Sequence, residues 1–98
     1  MSMLQDVLRE ERERAERMQA ALARELEKLP RGYISRKMIR GKPAFYLQRR
    51  EGDKVVGRYI PKEELEGLRQ GIARRKQLLA MDREAKETLR RIGRALKP

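Results

Sequence analysis

An α+β fold, with a long helix, a three-stranded antiparallel meander and a second long helix, is predicted by three observations. Apolar residues recur at helical spacing on both flanks, two glycine-containing turn signals lie in the middle, and side chains alternate between those turns. The 98 residues are expected to form one domain, helical over 1–29, a sheet over 33–60 and helical again over 62–96. A chain of this length buries a limited core by itself. With 39% of residues apolar and 42% charged, much of it must be solvated helix surface, which favours an extended shape or a homodimer joined by its long helices.

From Ser2 to Leu29 the apolar positions are Leu4, Val7, Leu8, Ala15, Met18, Leu22, Leu26 and Leu29. Leu4, Ala15 and Leu26 are eleven residues apart, as are Val7, Met18 and Leu29, a repeat that keeps an apolar stripe nearly straight along a coiled-coil-like helix. Glu10 with Arg14 and Glu13 with Arg17 have the favoured i,i+4 order on the solvated side. The helix spans about 40 Å at 1.5 Å per residue. Pro30 ends it, because proline lacks an amide proton and disfavours helix in the residue before it.

The middle segment holds two tight turns, Arg40-Gly41-Lys42-Pro43 and Glu51-Gly52-Asp53-Lys54. A two-residue loop at Gly41 and Lys42 would pair Ile39 with Ala44 and Met38 with Phe45. The second turn would pair Arg50 with Val55 and Tyr46 with Tyr59. Alternation then sends Ile34, Arg36, Met38, Phe45, Leu47, Arg49, Val56, Arg58 and Ile60 to one face, which is expected to pack on a helix. Tyr33, Ser35, Lys37, Ile39, Ala44, Tyr46, Gln48, Arg50, Val55, Gly57 and Tyr59 take the other.

Pro61 suits the first turn of the second helix, and Glu63 and Glu64 place negative charge where its dipole favours it. Leu65, Leu68, Ile72 and Leu79 form one apolar stripe; Leu78, Met81, Ala85, Leu89, Ile92 and Leu96 carry a neighbouring one to the end. Gly67 and Gly71 each weaken the helix by roughly 1 kcal/mol relative to alanine. They are expected to mark places where the sheet or the first helix comes close.

Charge is concentrated in the sheet. Residues 31–62 hold 10 Lys and Arg against 2 Asp and Glu, a net of +8 out of the chain's +11, whereas residues 1–30 hold 6 against 7. A pI near 10.7 with this distribution points to a polyanion. The chain has no Cys and no His, which removes thiol chemistry, disulfides, the usual zinc sites and the common general base. Carboxylates in the sheet region are confined to Glu51 and Asp53, ordinary turn residues, and no glycine-rich phosphate loop precedes a helix. No enzyme activity, cofactor or metal is expected. No signal peptide or bilayer-spanning run is evident, and no Trp and one Phe argue against a membrane surface as the polyanion, so a cytoplasmic protein is expected.

Arg36, Lys37, Arg40, Lys42, Arg49, Arg50, Lys54 and Arg58 supply the sheet with candidate phosphate contacts, and Arg74, Arg75 and Lys76 extend them along the second helix. Gln48 and Tyr46 are the candidate base contacts, with Tyr46 or Tyr59 able to stack on an unpaired base. The competing structural reading buries the tyrosines in a small second core under the first helix. The nucleic-acid reading needs the basic side chains exposed as one continuous cationic patch.

The stretch LPRGYISRKMIRGKPAFYLQRREGDKVVGRYIPKEELEGL, residues 29–68, resembles an uncharacterised family of short bacterial proteins with a basic, tyrosine-containing hairpin region leading into a charged helix. That resemblance implies no activity. More loosely, three short basic strands followed by a helix look like the arm-type DNA-binding domain of tyrosine recombinases. There the sheet lies against the major groove, which would nominate Lys37, Tyr46, Gln48 and Arg50 here. The long helix before the sheet and the lack of a catalytic domain after it depart from that pattern, so the likeness is one of fold. The expected partner is nucleic acid, with DNA first. The rival is a helical dimerisation element docking an acidic protein.

Overall fold

The computed structural model describes residues 2–97, arranged as α1 (Met3–Glu27), β1 (Tyr33–Ile39), β2 (Lys42–Glu51), β3 (Lys54–Tyr59) and α2 (Lys62–Leu96). This is the α+β order expected from the sequence. The chain forms two compact units. One comprises the chain up to Lys28 with the chain from Gln77 onward, and the other is Leu29–Lys76. The 35-residue α2 contributes to both.

In the first unit, Ser2 caps α1: its side-chain oxygen accepts the Gln5 amide at 3.1 Å, with Asp6 in the first turn and Arg24 in the last. The helix stops at Glu27, two residues before the expected end, and the Lys28 amide turns back to the carbonyls of Glu25 and Leu26. α1 and the C-terminal part of α2 run antiparallel. Gln19 Nε2 donates to Asp82 Oδ1 at 3.4 Å, and Ala15 and Met18 share a groove of about 240 Å³ with Met81, Ala85 and Thr88. Leu22, Leu78, Ala85 and Ile92 are the buried apolar residues of this hairpin. Full burial of a leucine or isoleucine contributes about 1.5–3 kcal/mol, so so small a set makes a thin core. Arg14 pairs with Glu11 rather than with the expected Glu10, since both carboxylates lie one turn back along the same helix. Exposed pairs of this kind contribute about 0–1 kcal/mol.

In the second unit the sheet order is β1-β2-β3, antiparallel throughout. The β2–β3 register is the expected one, with Tyr46 opposite Tyr59 and Arg50 opposite Val55. Gly52, at φ 61°, opens the two-residue loop between them. The β1–β2 register corrects the expectation. Ile39 pairs with Lys42 and Arg36 with Phe45, so the loop is Arg40-Gly41, both with positive φ (53° and 78°).

Proline explains the choice. The residues closing a two-residue hairpin exchange both backbone hydrogen bonds, and a Gly41-Lys42 loop would have required an amide proton from Pro43. In the observed register Pro43 stands opposite Met38 in a pair that makes no such demand. Side-chain faces survive, because the pairing shifts by two residues and alternation has a period of two.

Two close approaches fix this unit. Gly32, at φ 112°, passes so near β2 that a Cβ there would sit 2.3 Å from the Gln48 carbonyl oxygen. Gly71 of α2 meets Pro30, whose Cδ and Cγ would lie 2.8 and 2.9 Å from an added Cβ. Gly71 does have a close neighbour, but in the connection between α1 and β1 rather than in the sheet or the first helix as expected, and Gly67 has none within 4 Å among the described residues. Ile60, 2% exposed, extends β3 by one hydrogen bond to the Phe45 carbonyl at 2.8 Å and is the buried centre of this unit.

Candidate nucleic-acid interface

Strand register dictates which basic residues share a surface. Across β1, β2 and β3 one face carries the rows Ser35–Tyr46–Tyr59 and Tyr33–Gln48–Gly57, flanked by Lys37–Ala44 and Arg50–Val55. The opposite face carries Ile34–Leu47–Arg58, then Arg36–Phe45 with Ile60, and Arg49–Val56.

α2 covers the Phe45–Ile60 part of this second face, whereas Met38, expected to pack there as well, is 59% exposed. The Arg69 guanidinium of α2 lies 5.5 Å from the Phe45 ring centroid, and Arg58 Nη1 donates to Glu64 Oε2 at 3.3 Å. A concavity of about 220 Å³ remains, lined by Arg31, Leu47, Arg49, Val56, Gly57 and Arg58. Its positive field is reduced by the pairing of Arg49 with Glu51 and of Arg58 with Glu64.

The tyrosine face is open. Tyr33 and Tyr59 are 55% and 58% exposed, which rules out a second core closing over them. Tyr46 is half-buried because neighbours engage its ring. Tyr59 approaches it edge-on, with centroids 5.9 Å apart and planes at 75°, and Lys37 Nζ stands 5.0 Å from its centroid. Gln48 leans over the missing side chain of Gly57, its Cγ 3.4 Å from where a Cβ would be. Ser35 Oγ is buried without a hydrogen-bond partner among the described residues.

The eight basic residues of the sheet are all exposed, yet they do not form the single patch the sequence reading required. Lys37, Lys42 and Arg50 belong to the tyrosine face; Arg36, Arg49, Lys54 and Arg58 belong to the other; Arg40 sits in the turn. Period-two alternation makes this division unavoidable for Arg36 and Lys37, and for Arg49 and Arg50, which are chain neighbours. On α2, Arg74 and Lys76 are exposed, but Arg75 is half-buried with its Nε unpartnered among the described residues.

Lys37, Tyr46, Gln48 and Arg50 share one face with Tyr59, the alternative stacking residue expected from the sequence, and with Tyr33, for which no contact was expected. The Tyr46–Tyr59 pairing was readable from the second turn. That Tyr59 is the more open ring was not. Among the described residues no group of His, Cys, Asp and Glu could hold a metal ion, and no helix is long and apolar enough to cross a membrane.

The fold defines a helix–meander–helix protein with an exposed, basic, aromatic sheet face. The chain belongs to the family described as domain of unknown function DUF6788, whose model matches residues 4–70, more than half of the sequence. The match takes in α1, the whole sheet and the start of α2. No curated protein and no solved structure matches the chain.

Proposed function

We propose that this protein is a small, non-enzymatic, cytoplasmic nucleic-acid-binding module that holds its ligand, with DNA as the first candidate, on the tyrosine face of the sheet. The single cationic patch expected from the sequence is absent, so the reading is carried instead by the convergence on one open surface of three of the eight sheet cations, Lys37, Lys42 and Arg50, with Tyr33, Tyr46, Gln48 and Tyr59. Cations there meet phosphates, while rings and the Gln48 amide meet sugar or bases. Arg40, in the turn, and Arg74 and Lys76, on α2, add positive charge within the same unit. The likeness to recombinase arm-binding domains enters only through the order of the elements.

Titration of labelled DNA at several salt concentrations tests this reading. If about four or five phosphates are neutralised, affinity falls roughly 10²- to 10³-fold between 50 and 200 mM salt. No binding at low ionic strength would reject it.

A second reading has its own support in the helical hairpin. Met3, Leu4, Val7, Met18 and Met81 are exposed large apolar residues, and Met18 and Met81 border the groove beside Ala15 and Ala85. In that reading the hairpin binds a second copy of the chain or an acidic protein, and the sheet organises the helices. Sedimentation over a wide concentration range separates the two outcomes, and a monomer at all concentrations would remove the homodimer.

A further inference from the structure

We propose that the ligand of the tyrosine face is a single strand with unpaired bases, which stack on Tyr33 and Tyr59 while the Gln48 amide reaches a base edge between them. This rests on the nucleic-acid reading above and narrows it.

The three rings are not equivalent. Tyr46 is half-buried, in a T-shaped contact with Tyr59 and with Lys37 over its ring, so it acts as a support. Tyr33 and Tyr59 each expose more than half of their surface. They stand on β1 and β3, the two outer strands, in adjacent rows of the same face. Two strand spacings separate them by about 9.5 Å across the sheet. Bases stacked in a duplex rise about 3.4 Å, so a base on each ring must have left a continuous stack.

Gly57 leaves room for the Gln48 side chain, which lies over it. It shares a row with Tyr33 and Gln48, and Gln48 Nε2 lies 3.8 Å from where its Cβ would be. An amide at that place can donate to and accept from the edge of a splayed base. Lys37 and Arg50 flank the rows on either side and supply charge for the connecting phosphates. A duplex could use those cations but would leave both exposed rings without a stacking partner, since wedging rings into a base step costs a few kcal/mol of unstacking.

The test uses the full chain with three probes at matched charge and salt: a short thymidine oligomer, a duplex, and an abasic oligomer carrying only the phosphate backbone. The chain has three Tyr and no Trp, so its intrinsic emission reports on these rings directly. The thymidine oligomer is expected to bind at least tenfold more tightly than the other two and to quench tyrosine emission. Tyr33→Ala should weaken it about tenfold. Among the described residues Tyr33 makes no ring contact, so far-ultraviolet circular dichroism of Tyr33→Ala should match the parent.

Equal affinity for all three probes, with unchanged emission and no effect of Tyr33→Ala, would overturn the stacking proposal and leave a phosphate-binding protein. Failure of every probe to bind at low salt would remove the nucleic-acid reading as well.

Discussion

Replacing Gly32 by alanine should destabilise the sheet unit through two separable effects. Gly32 has φ 112°, outside the range of L-residues, and holding a non-glycine residue there costs on the order of 1–3 kcal/mol. In addition, the new Cβ would stand 2.3 Å from the Gln48 carbonyl oxygen and 3.2 Å from the Arg49 Cβ. The first is a backbone atom in the central strand, so relief requires the connection or β2 itself to move. Overpacking of this kind adds about 1–3 kcal/mol, giving an expected total of roughly 2–6 kcal/mol.

Gly41→Ala is the control. Its φ is 78°, but nothing lies within 4 Å of its added Cβ, so it suffers the backbone term alone. Urea unfolding of both variants, followed by far-ultraviolet circular dichroism, should place Gly32→Ala below Gly41→Ala by the steric increment, with similar dependence on denaturant. Equal losses in the two variants would refute the argument that the approach of residue 32 to Gln48 constrains the fold.

Three further outcomes follow from the packing. Gly67→Ala, in a helix with open space around the added methyl, should stabilise by about 0.5–1 kcal/mol, whereas Gly71→Ala, pressed on Pro30, should fail to show that gain or should destabilise; thermal melts of the pair read the sign. Ile60→Ala should cost about 2–5 kcal/mol in urea unfolding, because its side chain is buried in a unit with few other fully covered groups. A double-mutant cycle on Arg58 and Glu64 should return a coupling of about 1 kcal/mol or less, since both side chains are more than half exposed.

Much of the architecture was legible because its signals were redundant. The boundaries of α2 agree with the expected 62–96: Pro61 limits one end, with Glu63 and Glu64 in the first turn, while apolar periodicity carries the other. Facial assignment of the strands was equally safe, since slipping β1 against β2 by two residues leaves every side chain on its own side. The first hairpin departs from the expected register because Pro43 has no amide proton to close a Gly41-Lys42 loop, although the observed loop sets Arg40 at a positive φ that arginine rarely adopts.

The candidate site was legible only in part. Composition showed a basic, tyrosine-bearing sheet, but it could not show that Glu51 and Glu64 pair with Arg49 and Arg58, or that Tyr46 is half-buried while Tyr33 and Tyr59 are exposed. Those distinctions depend on which side chains meet across strands and on what α2 covers. Neither is encoded in local spacing. Gly71 is a similar case: a close neighbour was expected, but its identity as Pro30 emerges only from the path of the connection after α1.

The place of Pro43 also bears on what the sheet can recruit. β2 begins at Lys42, and its pairing with β3 reaches only as far as the bond between Phe45 and Ile60. Along the overhang on that side, hydrogen-bonding positions alternate, so Pro43 is the next residue whose amide would point outward. It has none to offer. An intruding chain that tried to continue β3 along this margin would find a carbonyl without its complementary donor, and the proline thus blunts the margin against the edge-to-edge growth by which exposed strands aggregate.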